Sequence, residues 1–522
     1  MTDDSDQWRE VAAALARPEI YGLADPVEVI DTSVSMVFLT GGHAYKIRKP
    51  LKLSFLDFSS RELRHADCLR ELALNRRTAP EIYLDVVSIT RGADGALRLG
   101  GAGEAIEWAV RMRRFSSSAL LDHMALQGKL TPDLITRLAR NIAAFHTSLP
   151  PEYDAGGAAH FRRSLLRNDS EYRNFTGALF SPAQIDALRD ASLAALDGQA
   201  ALMDARQKSG WVRHCHGDLH LGNIFCQDGE PVLFDCIEFS DTIAKIDVLY
   251  DLAFLLMDLW RRDLPALANL CLNQYLAHLP PADSEAAIEG LALLPLFLSS
   301  RAGVRAFVLA RTTQSQPGNA KLRDEAQKFL TLAQIFLRPS PPKLLAVSGF
   351  SGSGKSVLAK ALAPGIGAAP GALILRSDEI RKQLAGAPLL AALPAAAYTP
   401  ESSAQVYASI INRARAALRA GHSVIADAVH AQPAERAAME AVAKQAGVAF
   451  QGLWLEAPPQ ILAARAGARR GDASDADAAI VARQLHYDTG AIGWARIDAS
   501  GAPDATLARA TECLARNPGF SA

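Results

Sequence analysis

Charge of one sign is what this sequence has least of: 55 basic residues stand against 56 acidic ones, a formal net charge of −1. A dedicated nucleic-acid surface is therefore not favoured, although a local basic groove is compatible with that balance. Cysteine is sparse, and Cys68, Cys215, Cys226, Cys236, Cys271 and Cys513 lack the spacing of a zinc site. Reduced thiols in a cytoplasm are the expectation. The start, Met1-Thr2-Asp3-Asp4-Ser5-Asp6, is acidic and polar, the opposite of a secretory leader. Long apolar runs are also missing. Those near Leu252–Leu259 and Leu291–Leu298 are cut by Asp258, Pro295 and Arg301, so no membrane span and no membrane partner are expected. No internal repeat or low-complexity tract occurs. At 522 residues the chain is too long for one ordinary core, and two or more domains follow.

What is present begins with Leu344-Leu345-Ala346-Val347-Ser348-Gly349-Phe350-Ser351-Gly352-Ser353-Gly354-Lys355-Ser356, an apolar run, a glycine-rich turn, and Lys-Ser opening a helix-prone segment. Gly349, Gly354, Lys355 and Ser356 fill every fixed position of the G-x-x-x-x-G-K-[ST] phosphate loop. Gly349, Ser351, Gly352, Ser353 and Gly354 let successive backbone N–H groups turn inward around an anion, and a helix N-terminus adds partial positive charge. Lys355 reaches terminal phosphates and Ser356 offers a hydroxyl to Mg²⁺, so this stretch is expected to bind ATP with Mg²⁺. The simpler alternative is a turn that merely links strand to helix.

The clearest seam is Leu337-Arg338-Pro339-Ser340-Pro341-Pro342. It separates a large first region from a domain at 343–522. Within the first region, Val34–Thr40 and Ala44–Arg48 flank Gly41-Gly42 as a hairpin, and Asp94-Gly95 marks a turn leading to Ala105–Met112. Ser59-x-x-Glu62 has the capping-box pattern and announces a helix to about Arg77. Beyond residue 113 the pattern turns helical: Thr131-Pro132 opens a helix with Leu134, Leu138, Ile142 and Phe145 at helical spacing. This predicts a small lobe at 1–112 and a helical large lobe at 113–338.

Chemistry concentrates in Arg213-His214-Cys215-His216-Gly217-Asp218-Leu219-His220-Leu221-Gly222-Asn223-Ile224 and in Asp235, which closes the next apolar run. A phosphoryl transferase needs one carboxylate to orient a hydroxyl and oxygen ligands for Mg²⁺. Asp218, Asn223 and Asp235 meet that need. A transition-metal cluster of His214, Cys215, His216 and His220 is the weaker alternative, since neither H-x-x-x-H nor C-x-x-C spacing occurs. After the seam, Ala372–Asp378 is a strand ending in a carboxylate, with Arg381 three residues on. Ser423–Asp427 is a second such strand, where a magnesium partner would sit. Arg465 and Arg469 form an i, i+4 pair on a predicted helix, in the position of a lid over transferring phosphate. Gly471–Asp475 is expected to be a mobile lid loop. A helix cap for Asp378 and a solvated helix face for the arginine pair are the competing readings.

H-G-D-L-H-x-G-N followed by the strand-end Asp235 resembles the catalytic segment of the aminoglycoside phosphotransferase family, kinase-like enzymes that phosphorylate small molecules. The resemblance implies a bilobal protein-kinase-like fold. By it, Asp218 is the base, Asn223 and Asp235 are magnesium ligands, Asp251 braces the loop, and Lys46 contacts the α/β-phosphates. The family layout makes Glu71 the partner of Lys46, whereas the apolar wheel puts Glu62 on the buried side; at nine residues apart only one can face the lysine. Asp31–Ser35 contains no glycine, unlike a protein-kinase phosphate-covering loop. Trp108–Met112 is either an adenine-receiving hinge or a plain strand.

The glycine loop, Asp378-x-x-Arg381 and Arg465-x-x-x-Arg469 together resemble P-loop kinases of the adenylate-kinase type, nearest the polynucleotide-kinase and antibiotic-kinase branch of AAA-type ATP-binding domains. That implies a doubly wound parallel sheet, Asp378 and the two arginines as catalytic groups, Arg381 at the nucleotide site, and Asp427 and Ser356 at the metal. The fold class is thus α/β and α+β. The expected activity is transfer of the γ-phosphate of ATP to hydroxyl groups of small molecules by two kinase domains. Two rivals stand beside it. One is a nucleotide-dependent regulatory or interaction protein with one inactive domain. The other makes the second domain a nucleic-acid 5′-hydroxyl kinase, for which Arg376, Arg381 and Lys382 are a short basic cluster. The acceptors and the oligomeric state are not written in the sequence.

Overall fold

In the computed structural model, residues 2–53, 56–316, 318–468 and 471–520 are described. Two compact units emerge, one of Met1–Leu138, Ser148–Gly156 and Gln207–Asp251, the other of Ala139–Thr147, Gly157–Arg206 and Leu252–Ala522.

The first unit is built on a six-stranded antiparallel sheet in the order Glu28–Asp31, Ser35–Thr40, His43–Arg48, Glu104–Arg113, Tyr83–Arg91, Leu97–Leu99. The Gly41-Gly42 turn joins the second and third of these strands, as the sequence predicts. Asp94-Gly95 turns into the short strand Leu97–Leu99 before the chain reaches Glu104–Arg113; neither Leu97–Leu99 nor the edge strand Glu28–Asp31 was predicted. Side chains alternate across the sheet. Tyr45 and Ile47 face the N-terminal helix, packing with Val11, Leu15 and Ile89. Ala44 lies on the other face with Cys68 of the Arg61–Asn75 helix. Lys46 and Arg48 share that second face, and this parity carries both cations to the helix.

Ser60, rather than Ser59, caps the Arg61–Asn75 helix, accepting the Leu63 N–H at 3.3 Å. In this register Glu62 is exposed and Glu71 is fully buried, which corrects the apolar-wheel reading. The wheel failed because the buried face of this helix is lined by charged side chains, Arg64, Asp67 and Glu71. Further along the unit lie a hairpin of Ile224–Gln227 with Glu230–Leu233, and Val212–His214 paired with Lys245–Asp247.

The second unit combines helices with a parallel sheet in the order Leu373–Arg376, Val424–Asp427, Lys343–Ser348, Ala449–Glu456, Ala495–Asp498. Both faces are covered, so the middle of Lys343–Ser348 reads as a continuous apolar run, Leu344-Leu345-Ala346-Val347. Leu345 and Val347 pack with Leu358, Leu362, Ala510 and Leu514 of the helices Lys355–Leu362 and Pro503–Ala515. Leu344 and Ala346, pointing to the opposite face, are equally buried.

The sheet edge does not end in solvent. From the helix Pro265–His278, Asn269 donates to the Ala372 carbonyl at 3.0 Å. Asn273 donates to the same carbonyl at 3.2 Å and accepts the Ile374 N–H at 2.7 Å. By length and composition alone, the stretch Pro281–Gln314 suffices to cross a bilayer, contrary to the reading that Pro295 and Arg301 cut it short. In the fold, 67% of its most apolar window is buried within the protein, as in a core helix.

Candidate active sites

In the first unit, Lys46 Nζ lies 2.8 Å from Glu71 Oε1 and 2.7 Å from Asp235 Oδ1. Burial alone would lower the lysine's pKa, but Asp235 and Glu71 outweigh it and raise the value above the ordinary one. Asp235 is displaced the other way: Lys46 overcomes the cost of desolvation and holds its carboxyl below the usual range. Asp235 has φ of 57°, the left-handed region uncommon outside glycine. The Tyr83 hydroxyl accepts its N–H at 3.1 Å.

Behind Lys46 sits Arg48, which sequence reasoning passed over. Its Nε is 2.6 Å from Asp67 and one Nη 2.7 Å from Glu71 Oε2, and it also pairs with Glu238. Glu71 is therefore gripped by one cation at each oxygen. Burial pushes the Glu238 carboxyl up to about 8, against the pull of Arg48. The signal that was available is the spacing: Arg48 follows Lys46 by two residues on one strand and must share its face.

The loop is braced as the resemblance implies. Asp251 accepts the N–H of His216 at 3.0 Å and of Gly217 at 2.8 Å. His216 is fully buried, its Nε2 sits 2.9 Å from the Phe234 carbonyl, and burial lowers its pKa. The ring nitrogens of His216 and His220 face the loop's own groups: Asp218 N–H approaches His216 Nδ1 at 3.4 Å and Gly222 N–H approaches His220 Nδ1 at 3.1 Å. Asn223 donates to the Asp218 carboxylate at 2.9 Å and to the Asp218 carbonyl at 3.0 Å. Its amide oxygen accepts nothing from the described residues. Asp218, Asn223 and Asp235 are oxygen donors suited to a hard cation, and the Asp235 side chain is 42% exposed. Trp108–Met112 lies within the strand Glu104–Arg113, where Trp108 stacks on His65 at 3.7 Å.

In the second unit the phosphate loop joins the strand Lys343–Ser348 to the helix Lys355–Leu362. Gly349, Gly352 and Gly354 have φ of 130°, 82° and 90°, so the glycines are where the turn requires them. A side chain at Gly352 would press into the Leu462 backbone carbonyl. Lys355 donates to the Phe350 carbonyl at 3.1 Å, and the Ser351 N–H is taken by the Gln484 side chain at 2.8 Å. Ser353 is buried with an unpartnered hydroxyl.

Asp427 ends the strand next to the loop and is 2% exposed. Burial raises its pKa, while Arg376, Lys355 and the Ser356 hydroxyl favour its ionised form. Its Oδ2 has no hydrogen-bond partner. A buried orphan carboxylate oxygen beside a phosphate-loop serine fits a magnesium site. Asp378 stands in the first turn of the Ser377–Leu384 helix, one-third exposed; Arg376, not Asp378, occupies the cap position.

The arginines are placed differently from the sequence reading. Arg381 donates to the Ala397 carbonyl at 2.8 Å and lies 4.9 Å over the Tyr398 ring, turned toward 395–403. Arg465 donates to the carbonyls of Ala499 at 2.6 Å, Ser500 at 3.1 Å and Gly501 at 2.6 Å. Three backbone acceptors thus occupy a guanidinium assigned to phosphate. Arg469 lies outside the described residues. The loop read as a mobile lid is tied down: Asp472 pairs with Arg376 at 2.5 Å, and Asp475 pairs with Lys382 at 2.9 Å while accepting from the Tyr398 hydroxyl.

With this geometry in view, the likenesses to known proteins divide at the same seam. The sequence model of the phosphotransferase enzyme family matches residues 52–286, and that of an AAA domain matches 344–488. Over 502 residues the chain is 30% identical to an uncharacterized protein of Mycobacterium tuberculosis (strain H37Rv), covering 93% of this chain and 94% of that one. An uncharacterized protein of Mycobacterium bovis matches equally. The adenylyl-sulfate kinase of Myxococcus xanthus is 30% identical over 122 residues, 23% of this chain and 62% of that protein. Among solved structures, a choline/ethanolamine kinase family protein from Mesorhizobium loti covers 63% of this chain and 95% of its own, at 14% identity and TM-score 0.38. The APS kinase of Mycobacterium tuberculosis, solved with AMPPNP and APS, covers 34% and 98%, at 22% identity and TM-score 0.24.

Proposed function

The chain belongs to one family with the mycobacterial proteins that it matches along nearly all its length and itself joins a phosphotransferase-family domain to an AAA-type domain; from that premise we propose that it carries two ATP- and Mg²⁺-dependent kinase sites acting on hydroxyl groups of small molecules. The first spans a small lobe at 1–112 and a large lobe at 113–338; the second is 343–522. A cytoplasmic setting suits both. The observation that carries the reading is Lys46 bridging Glu71 and Asp235, with Asp218 and Asn223 joined on the neighbouring loop.

In the first site, Glu71 holds the lysine ammonium against the α/β-phosphates, and Asp235 with Asn223 holds the metal. Asp218 accepts a hydrogen bond from the acceptor hydroxyl and takes its proton late, since an ordinary carboxylate is a weak base. In the second, the glycine turn and Lys355 cradle the phosphates, Ser356 and Asp427 hold the metal, and Asp378 orients the hydroxyl. The metal, when bound, neutralises charge on the phosphate oxygens. The work of these side chains is positioning and electrostatic stabilisation, which is most of what phosphoryl transfer needs.

The test is transfer of labelled γ-phosphate from ATP to a metabolite extract by the full chain. Two sets of labelled products are expected, one lost in Asp218→Ala and the other in Lys355→Ala. Each loss should be roughly 10²-fold or more, with little change in melting temperature. Full transfer by Asp218→Ala would remove the assignment of the first site. Nucleotide binding with no product across a broad acceptor set would favour a regulatory role instead.

A further inference from the structure

Arg376 closes the edge strand Leu373–Arg376, in register with Asp427 at the end of the neighbouring strand. It is 5% exposed and faces four carboxylates. One Nη is 2.5 Å from Asp472 Oδ1 and 4.0 Å from Asp378 Oδ2; the other is 3.6 Å from Glu379 Oε1. Its Nε lies 3.7 Å from Asp427 Oδ2, beyond hydrogen-bond reach, and both atoms are buried without a hydrogen-bond partner.

Two facing orphans of opposite charge are costly unless a third group completes them. An oxygen bearing a hydrogen, set beside both atoms, would accept from the Nε–H and donate to Oδ2. A water held by a divalent cation supplies that. Bringing Asp378, Glu379, Asp427 and Asp472 together is also unfavourable without a cation among them, and a planar guanidinium addresses several carboxylates at once where an ammonium cannot.

We propose that Arg376 is a positioning residue of the second site, fixing Asp427 and Asp378 on either side of the place where a magnesium-held water sits, and tying the Asp472 loop to the same point. The inference rests on the P-loop site proposed above. Arg376 contacts neither nucleotide nor acceptor; it acts through Asp427 and Asp378.

Binding of a fluorescent methylanthraniloyl-ATP to the full chain, titrated with MgCl₂, tests it. The Lys355-dependent part of the signal, obtained by subtracting Lys355→Ala, reports the second site. Arg376→Gln is expected to raise the Mg²⁺ concentration for half-maximal binding by roughly tenfold, as loss of a group behind a metal ligand does. Arg376→Lys, which keeps the charge and loses the fork, should raise it less. Binding without Mg²⁺ and the melting temperature should move little in Arg376→Lys. An unchanged Mg²⁺ dependence in folded Arg376→Gln overturns the inference. If the glutamine variant does not fold, an unchanged dependence in Arg376→Lys does so. If Lys355→Ala removes no nucleotide binding, the P-loop reading falls, and this inference with it.

Discussion

Lys46 and Arg48 divide one carboxylate between them, and the division sets what each is for. Lys46 remains partly accessible at the site, while Arg48 is enclosed by Asp67, Glu71 and Glu238. Replacing Arg48 by Met would leave Asp67 and Glu238 buried without their cation and Glu71 held by Lys46 alone. A loss of about 3–5 kcal/mol is expected, as for breaking a buried ion pair by removing one partner; denaturant unfolding of the full chain measures it. An unchanged midpoint would mean that the carboxylates relax into water. Glu71 was legible only through family layout, because a helix whose inner face carries Arg64, Asp67 and Glu71 defeats any search for an apolar stripe. The sequence pattern marked Asp218, Asn223 and Asp235 as a group of oxygen donors, and the fold joins Asn223 to Asp218 and Asp235 to Lys46. The positions of Arg381 and Arg465 were not, since their partners are backbone carbonyls at 397 and 499–501, and no side-chain pattern encodes a carbonyl's direction.

Among the elements, the glycine turn was the easiest to find, because its residues answer a backbone demand rather than a packing one. Gly352→Ala adds a methyl at φ of 82° and against the Leu462 carbonyl. That carbonyl is backbone and cannot turn aside, so the loop must open. Lys355-dependent nucleotide binding should fall by at least tenfold, read by fluorescence titration. The segments on either side of the strand Val424–Asp427 carry a different liability. Burial pushes His422 down to about 4 and His430 to about 3, and in the first unit His214 falls to about 4. The unfolded chain titrates near 6.5, so below that pH it binds more protons than the folded one. Stability is thus fully present above about pH 6.5 and is lost as pH falls toward 4. Melting temperatures recorded from pH 7.5 to 4.5 should decline, and His422→Gln should flatten part of that slope. A parallel decline in the variant would place the loss elsewhere. The strand end that carries Asp427 was legible as an apolar run closed by a carboxylate; the run read as ending in Asp378 stops at Arg376, and Asp378 already belongs to the next helix. The tethering of Gly471–Asp475 was not legible, because Arg376, Lys382 and Tyr398 lie 77 to 96 residues away.

For the molecule as a whole, the division at the Pro339–Pro342 seam describes sequence, while the fold places the P-loop sheet in one compact unit with helices that precede the seam. Asn269 and Asn273 mark the junction, satisfying Ala372 and Ile374 on the strand that leads to Asp378. Removing both amides, as Asn269→Ala with Asn273→Ala, leaves a buried N–H and carbonyl unmet. A loss of about 1–3 kcal/mol per group is expected, read as a lower melting temperature of the full chain. No change would mean that water enters and replaces them. No sequence motif advertises such a pair; two asparagines four apart in an apolar helix look like ordinary helix residues until a strand is laid beside them. Their arrangement also bears on how the protein behaves in a crowded solution. A bare sheet margin is an invitation for another chain to lay down its own strand, and amide side chains, which end after one step, decline that invitation. The doubly substituted chain should therefore clump on gentle warming before it fully melts, a change visible as light scattering.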